Sequence, residues 1–262
     1  MQRAIDDLGE LLIGGHRKKH VRRFHRDLEL VEIMVLEQLD MIERTLDQRL
    51  RARLAIFLQQ VALEAAGIDS DPETLYVARQ SLEGSSVILV NGSALAMPFI
   101  GAYFDTITMS NALHHIEDLD SLFRETFRVC KPDGLFLINE MLNENHSRLQ
   151  EPYMLYHRFI SEVDNQMGRY HHEPFSLKEL LAMVKNSGFT TLDYFIHEEV
   201  TGDCLNEEEI EAMSERMRRK VLQLKGSDYY YFYENKIGEI INRLSNAGVH
   251  KPRHITFMLR PA

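Results

Sequence analysis

Cysteine is scarce in this chain: its 262 residues contain two, Cys130 and Cys204, with no CxxC and no framework of pairs. That excludes a disulfide-stapled scaffold and favours a reducing, cytoplasmic compartment. Long hydrophobic runs are lacking too. Runs such as Leu54-Ala55-Ile56-Phe57-Leu58 fall far short of the roughly 20 residues a membrane span needs. The opening MQRAIDDLGELLIGG breaks its apolar positions with acids and does not read as a signal peptide. Positive charge is in deficit, with 30 Lys and Arg against 40 Asp and Glu, a net charge of −10. A field of that sign repels phosphate backbones and anionic lipid, so neither nucleic acid nor membrane is expected as a partner. Finally, residues 16–66 contain neither glycine nor proline.

What fills that stretch is an apolar stripe at Val21, Phe24, Leu28, Val31, Val35, Leu39 and Ile42, then Leu46, Leu50, Leu54, Phe57 and Val61. Steps of three and four are the helical period. They predict one or two long amphipathic helices, with residues 1–41 as a helical N-terminal extension and residues 42–262 as one α/β domain. The basic run His16-Arg17-Lys18-Lys19-His20-Val21-Arg22-Arg23 then forms the wet face of the first helix rather than a nucleic-acid patch. Its apolar stripe needs a cover, so a homodimer through this helix is expected.

Beyond residue 66 strands and helices alternate. Ala65 to Asp69 ends a short buried strand, and Pro72 opens a helix, where its missing N–H costs nothing. Val87-Ile88-Leu89-Val90 and Phe104 to Met109 read as strands, Leu119 to Val129 as a helix. Lys131-Pro132-Asp133-Gly134 has turn composition and leads into Leu135-Phe136-Leu137-Ile138, an apolar run of the kind buried on both faces. Ser176 with Glu179 makes a capping box. Asn206 caps a helix with Glu207, Glu208 and Glu209 in its first turn and Arg218, Arg219 and Lys220 near its end, an order that matches the helix dipole. A strand from Thr190 to Ile196 and a last one from His254 to Leu259 complete a largely parallel sheet. Ligands of such sheets sit at the carboxyl ends of the strands. The acid Asp69, followed by Ser70, falls at one of those ends, where a carboxylate can accept from two vicinal ribose hydroxyls; the alternative is that either residue caps the next helix.

IDSDPETLYVAR, followed by VNGSALAMPFIGAYFDTITMSNALHHIEDLDSLFRETFRVCKPDGLFLINE, resembles the class I S-adenosylmethionine-dependent methyltransferases. The likeness is greatest to the small-molecule branch with the pattern GDA…LPF…FD…LHH…RVLKPGG. The resemblance implies a Rossmann-like, seven-stranded, mostly parallel sheet with one antiparallel strand. It implies S-adenosylmethionine as cofactor, a small-molecule methyl acceptor, and lid segments at about 143–176 and 200–235 on the acceptor side. Asp47 would end the first strand, Asp69 and Ser70 would hold the ribose, Ser93 and Ala94 would lie against the adenine, and Asn111 near the methionine moiety.

Two departures stand out. Where the family carries LDxGCGTG, Leu46-Asp47 is followed by Gln48-Arg49-Leu50-Arg51-Ala52-Arg53, with arginines in place of the glycines that let backbone N–H groups approach the cofactor. Codons CGG CTG CGG GCA CGG encode Arg-Leu-Arg-Ala-Arg but give Gly-Cys-Gly-His-Gly one base later, so a short out-of-frame stretch would produce this departure. Ser93 also replaces the usual Asp. A chain without the cofactor loop has an alternative use, as a non-catalytic binding or assembly partner. For catalysis the candidate bases are His115, His114, His171 and His172, needed where the acceptor is protonated. No metal is expected, since HxH and HExxH are absent and adjacent histidines on a strand point to opposite faces.

Overall fold

A computed structural model describes residues 31–35, 64–84, 86–198 and 206–262, with residues 31–35 and 64 described by backbone alone. Its strands are β1 (Val31–Val35), β2 (Glu64–Asp69), β3 (Ile88–Asn91), β4 (Phe104–Ser110), β5 (Cys130–Met141), β6 (Phe189–His197) and β7 (His254–Pro261). Its helices are α1 (Pro72–Ser81), α2 (Leu119–Val129), α3 (Glu151–Gln166), α4 (Leu177–Asn186), α5 (Glu207–Gln223) and α6 (Tyr230–Ala247). The sheet runs β3-β2-β1-β4-β5-β7-β6. From β3 to β5 every pair is parallel, and β7 lies antiparallel to both β5 and β6.

β1 corrects the helical expectation for this part of the chain. Val31–Val35 fills the slot between β2 and β4, pairing Ile33 with Ala66 on one side and with Ile107 on the other. The sheet therefore starts upstream of residue 42, and its central slot is filled by residues well before Asp47, where the resemblance ends the first strand. The physical reason is a degenerate pattern. Val31, Ile33 and Val35 alternate as β-branched residues while Val31 and Val35 also keep the helical step. A ladder on both sides decides for strand. Residues 36–63, which hold the rest of the apolar stripe beyond Val35, lie outside the described residues.

Local signals set the other ends. Asp71 caps α1, accepting from Glu73 N at 3.0 Å and Thr74 N at 3.3 Å, so neither Asp69 nor Ser70 is the cap. The Ser176–Glu179 capping box is present at α4, and Asn206 accepts from Glu208 N and Glu209 N at α5. Lys131 to Gly134 is a bulge inside β5 rather than a turn between elements: Phe104 pairs with Cys130, then Thr106 with Leu135. Gly134 is needed there, because a Cβ would sit 2.9 Å from both Asp105 O and Cys130 Sγ.

Two apolar clusters hold the chain. One joins the sheet to α2 and α4, with Ile107, Leu122, Phe136, Leu180 and Phe257 at its centre. The other lies among α3, α5 and α6 and meets the sheet at Met141. Of the run Tyr229 to Tyr233, Tyr233 packs in this second core, while Tyr231 and Phe232 are exposed.

Burial, with Asp105 and Asp133 adding to it, pushes the Cys130 thiol up to about 12. The raised value makes the thiol's contribution to stability complete below the unfolded thiol range, and it is lost as pH rises from there towards about 12. Cys130 is expected to stay unmodified by iodoacetamide at pH near 8 in the folded protein and to react on addition of denaturant. Peptide mapping by mass spectrometry checks this, and labelling of native Cys130 would show the site to be open.

Candidate active site

The carboxyl ends of β2 and β3 form one half of the site. Asp69 is fully buried and its Oδ1 accepts from Asp71 N at 2.7 Å. Its backbone carbonyl accepts from Gly92 N at 3.0 Å and from Asn91 Nδ2 at 3.2 Å, which ties the turn after β3 to the end of β2. Ser70 is exposed, and its carbonyl also accepts from Asn91 Nδ2. Ser93 is exposed with Oγ accepting from Leu95 N at 3.1 Å, whereas Ala94 is buried in the sheet core. Asp47 lies outside the described residues.

Across β1, the end of β4 forms the other half. Asn111 follows β4 with φ of 48°, a left-handed backbone unusual for a side chain other than glycine. Its Oδ1 accepts from Met141 N at 3.1 Å and its N–H donates to Asn139 O at 2.8 Å, so it clamps the ends of β4 and β5 together. The chain then makes a single 3-10 turn, Leu113–His115. Glu140, fully buried at the end of β5, holds that turn. Its Oε1 accepts from Ala112 N at 2.7 Å and Leu113 N at 2.8 Å, and its Oε2 lies 3.0 Å from His114 Nδ1.

Four imidazoles meet here. The His115 ring lies 4.4 Å from His114 and 4.1 Å from His171, and His157 from α3 sits 5.2 Å from both His114 and His171. His171 Nδ1 lies 2.8 Å from Asp164 Oδ2, and Lys220 Nζ bonds the other oxygen of that carboxylate. Arg216, also buried, donates to the Tyr156 hydroxyl at 3.0 Å. Burial lowers the pKa of His115 and of His157 well below the usual histidine value, and the neighbouring histidines and Arg216 add to it. Burial also lowers that of His171 despite the opposing bond to Asp164. The neutral forms dominate at neutral pH.

Of the four histidines singled out in the sequence, His114, His115 and His171 converge. His172 does not: it is exposed, stacks on Phe175 and has Nδ1 2.5 Å from Glu173 O. The opposed-faces argument against a metal does not apply to His114 and His115, because they sit in a 3-10 turn rather than a strand. His157, Glu140 and Asp164 escaped sequence reasoning. A signal existed for two of them: Tyr153, His157, Ile160 and Asp164 recur at helical steps in α3, and all are buried.

The sheet is parallel from β3 to β5, carries an antiparallel β7 between β5 and β6, and has an acid at the end of β2. Residues 51–138 match the family described as a methyltransferase domain. The chain is 27% identical over 143 residues to a demethylmenaquinone methyltransferase of Bacillus licheniformis, covering 50% of this chain and 62% of that one. It is 30% identical over 142 residues to the ubiquinone/menaquinone biosynthesis C-methyltransferase UbiE of Escherichia coli, covering 48% and 57%. The chain thus spans less than two thirds of the length of these relatives. Among solved structures, it is similar to the YcgJ protein of Bacillus subtilis, with a TM-score of 0.51 at 19% identity over 88% of this chain and 90% of that one. It is also similar to a methyltransferase from Thiobacillus denitrificans in complex with S-adenosyl-L-homocysteine, with a TM-score of 0.52 at 12% identity over 100% and 92%. At those identities the likeness is one of fold. Among the described residues no helix is long and apolar enough to cross a membrane.

Proposed function

We propose that this protein is an enzyme that transfers a methyl group from S-adenosylmethionine to a small-molecule acceptor in the cytoplasm. The observation that carries the reading is Asp69, a fully buried carboxylate at the carboxyl end of β2, whose backbone carbonyl is tied to the turn after β3 by Gly92 N. Those residues would hold the cofactor: Asp69 and Ser70 would accept from its ribose hydroxyls, Ala94 would supply an apolar wall and Ser93 a hydroxyl for the adenine, and Asn111 would take the methionine end. The cofactor, when bound, supplies a methyl group already activated by its sulfonium, so the chain's own work is alignment and exclusion of water. On this reading residues 143–176 and 200–235, the latter described from residue 206, form the acceptor-side lid.

One observation favours a second reading, a non-catalytic partner with this fold. Whichever loop follows β1, it contains no glycine, because glycine is absent from residues 16–66. Calorimetry with S-adenosylmethionine and S-adenosylhomocysteine separates the two. Binding of one equivalent is expected, and Asp69→Ala is expected to weaken it by about 1–3 kcal/mol, the scale of hydrogen bonds to a charged group. No heat with either compound would leave the partner reading standing. Self-association through the chain's N-terminal region belongs to the same proposal; light scattering is expected to give twice the 30.5 kDa chain mass, and a monomer at micromolar concentration would remove it.

A further inference from the structure

We propose that His114, His115 and His171 form a binding site for one divalent transition-metal ion of the zinc type. The three residues each offer a ligand nitrogen, and these atoms all lie within 4.8 Å of one another. A tetrahedral ion with bonds of about 2.1 Å needs its ligands about 3.4 Å apart, so small ring rotations close the set.

The surroundings of the rings are built for this use. Glu140 and Asp164 each face a histidine Nδ1, at 3.0 and 2.8 Å. A carboxylate only accepts, so each fixes Nδ1–H and leaves the Nε2 lone pair of His114 and of His171 as the free ligand. That carboxylate–histidine pairing is the usual outer support of a metal-bound imidazole. His171 Nε2 and His115 Nδ1 are shut off from solvent with no hydrogen-bond partner. Leaving buried polar atoms unpaired costs free energy, and an ion shared between them satisfies the cluster. His157, with Nδ1 likewise buried and unpartnered, walls the site from α3.

Three imidazole donors select zinc, copper, iron or nickel over magnesium or calcium. Three protein ligands leave one position of a tetrahedral ion open. Lys220, with Arg169 at 3.8 Å, already answers the charge of Asp164, so a dication at the rings stays largely uncompensated and favours an anionic oxygen or sulfur as fourth ligand. On the proposed function that position takes the nucleophilic atom of the acceptor; this last step alone rests on the methyl-transfer reading.

The test is titration of the full, chelator-stripped chain with Zn²⁺ by calorimetry, followed by X-ray absorption spectroscopy of the loaded wild type. One equivalent bound more tightly than micromolar, with three imidazole nitrogens around the ion, is expected. His115→Ala and His171→Ala are expected to weaken binding at least 100-fold and Asp164→Asn about 10- to 100-fold, while His172→Ala leaves it unchanged. Absence of saturable Zn²⁺ uptake, fewer than three imidazoles in the spectrum, or wild-type affinity in a cooperatively melting His115→Ala or His171→Ala protein would each overturn the site. The spectrum of the wild type decides even where a variant fails to fold. Zinc uptake without cofactor binding removes only the methyl-transfer reading, and cofactor binding without zinc uptake removes only the metal site.

Discussion

Glu140→Ala is expected to lower the stability of the folded chain by about 3–5 kcal/mol, the scale of a broken buried network, and to dismantle the histidine cluster with it. Three groups lose their acceptor at once: the N–H groups of Ala112 and Leu113 and the Nδ1 of His114, all in a site closed to water. Each buried donor left unpaired costs about 1–3 kcal/mol. Glu140→Gln keeps one carbonyl acceptor for the 3-10 turn and is expected to cost about half as much, on the same per-bond scale. Urea unfolding of the three proteins measures the difference. Equal midpoints for wild type and Glu140→Ala would mean that the turn is held by packing alone.

The second large effect is expected at Lys220. Lys220→Met strips the partner from Asp164, a carboxylate that is 2% exposed, and leaves its charge buried. Removing one member of such a pair costs about 3–5 kcal/mol, much of it the stranded partner. Among the described residues Arg169 also approaches Asp164, with Nη1 3.8 Å from Oδ1 and a half-exposed side chain. Adding Asp164→Asn to Lys220→Met removes the stranded charge and is expected to recover part of the loss, which a double-mutant cycle reads directly. A loss below about 1 kcal/mol in the single variant would show that water or Arg169 already compensates Asp164.

Lys220 also shows where reading the sequence stops. In the linear pattern it belongs with Arg218 and Arg219 as the basic end of α5, answering the acids at the other end. In the fold, Arg218 stays at the surface against Glu211, while Lys220 turns inward to a carboxylate on α3. Helical spacing makes both outcomes available, and which side of α5 packs against α3 chooses between them.

What the sequence by itself determined is whatever rests on neighbours in the chain. The caps at Ser176 and Asn206 close their own helix ends, so those boundaries depend on residues two or three positions away, whereas the cap of α1 falls at Asp71 rather than at Asp69 or Ser70. The acid at the end of β2 and the apolar run of β5 were legible for the same reason. Tertiary structure alone decided the rest. Val31–Val35 suits helix or strand, and two flanking parallel strands settle it. The histidine cluster draws on a 3-10 turn, on α3 and on the loop beyond it, with carboxylates from β5 and α3. No local pattern links those positions. They share a site because a buried donor needs an acceptor, and the fold brings Glu140 and Asp164 within reach.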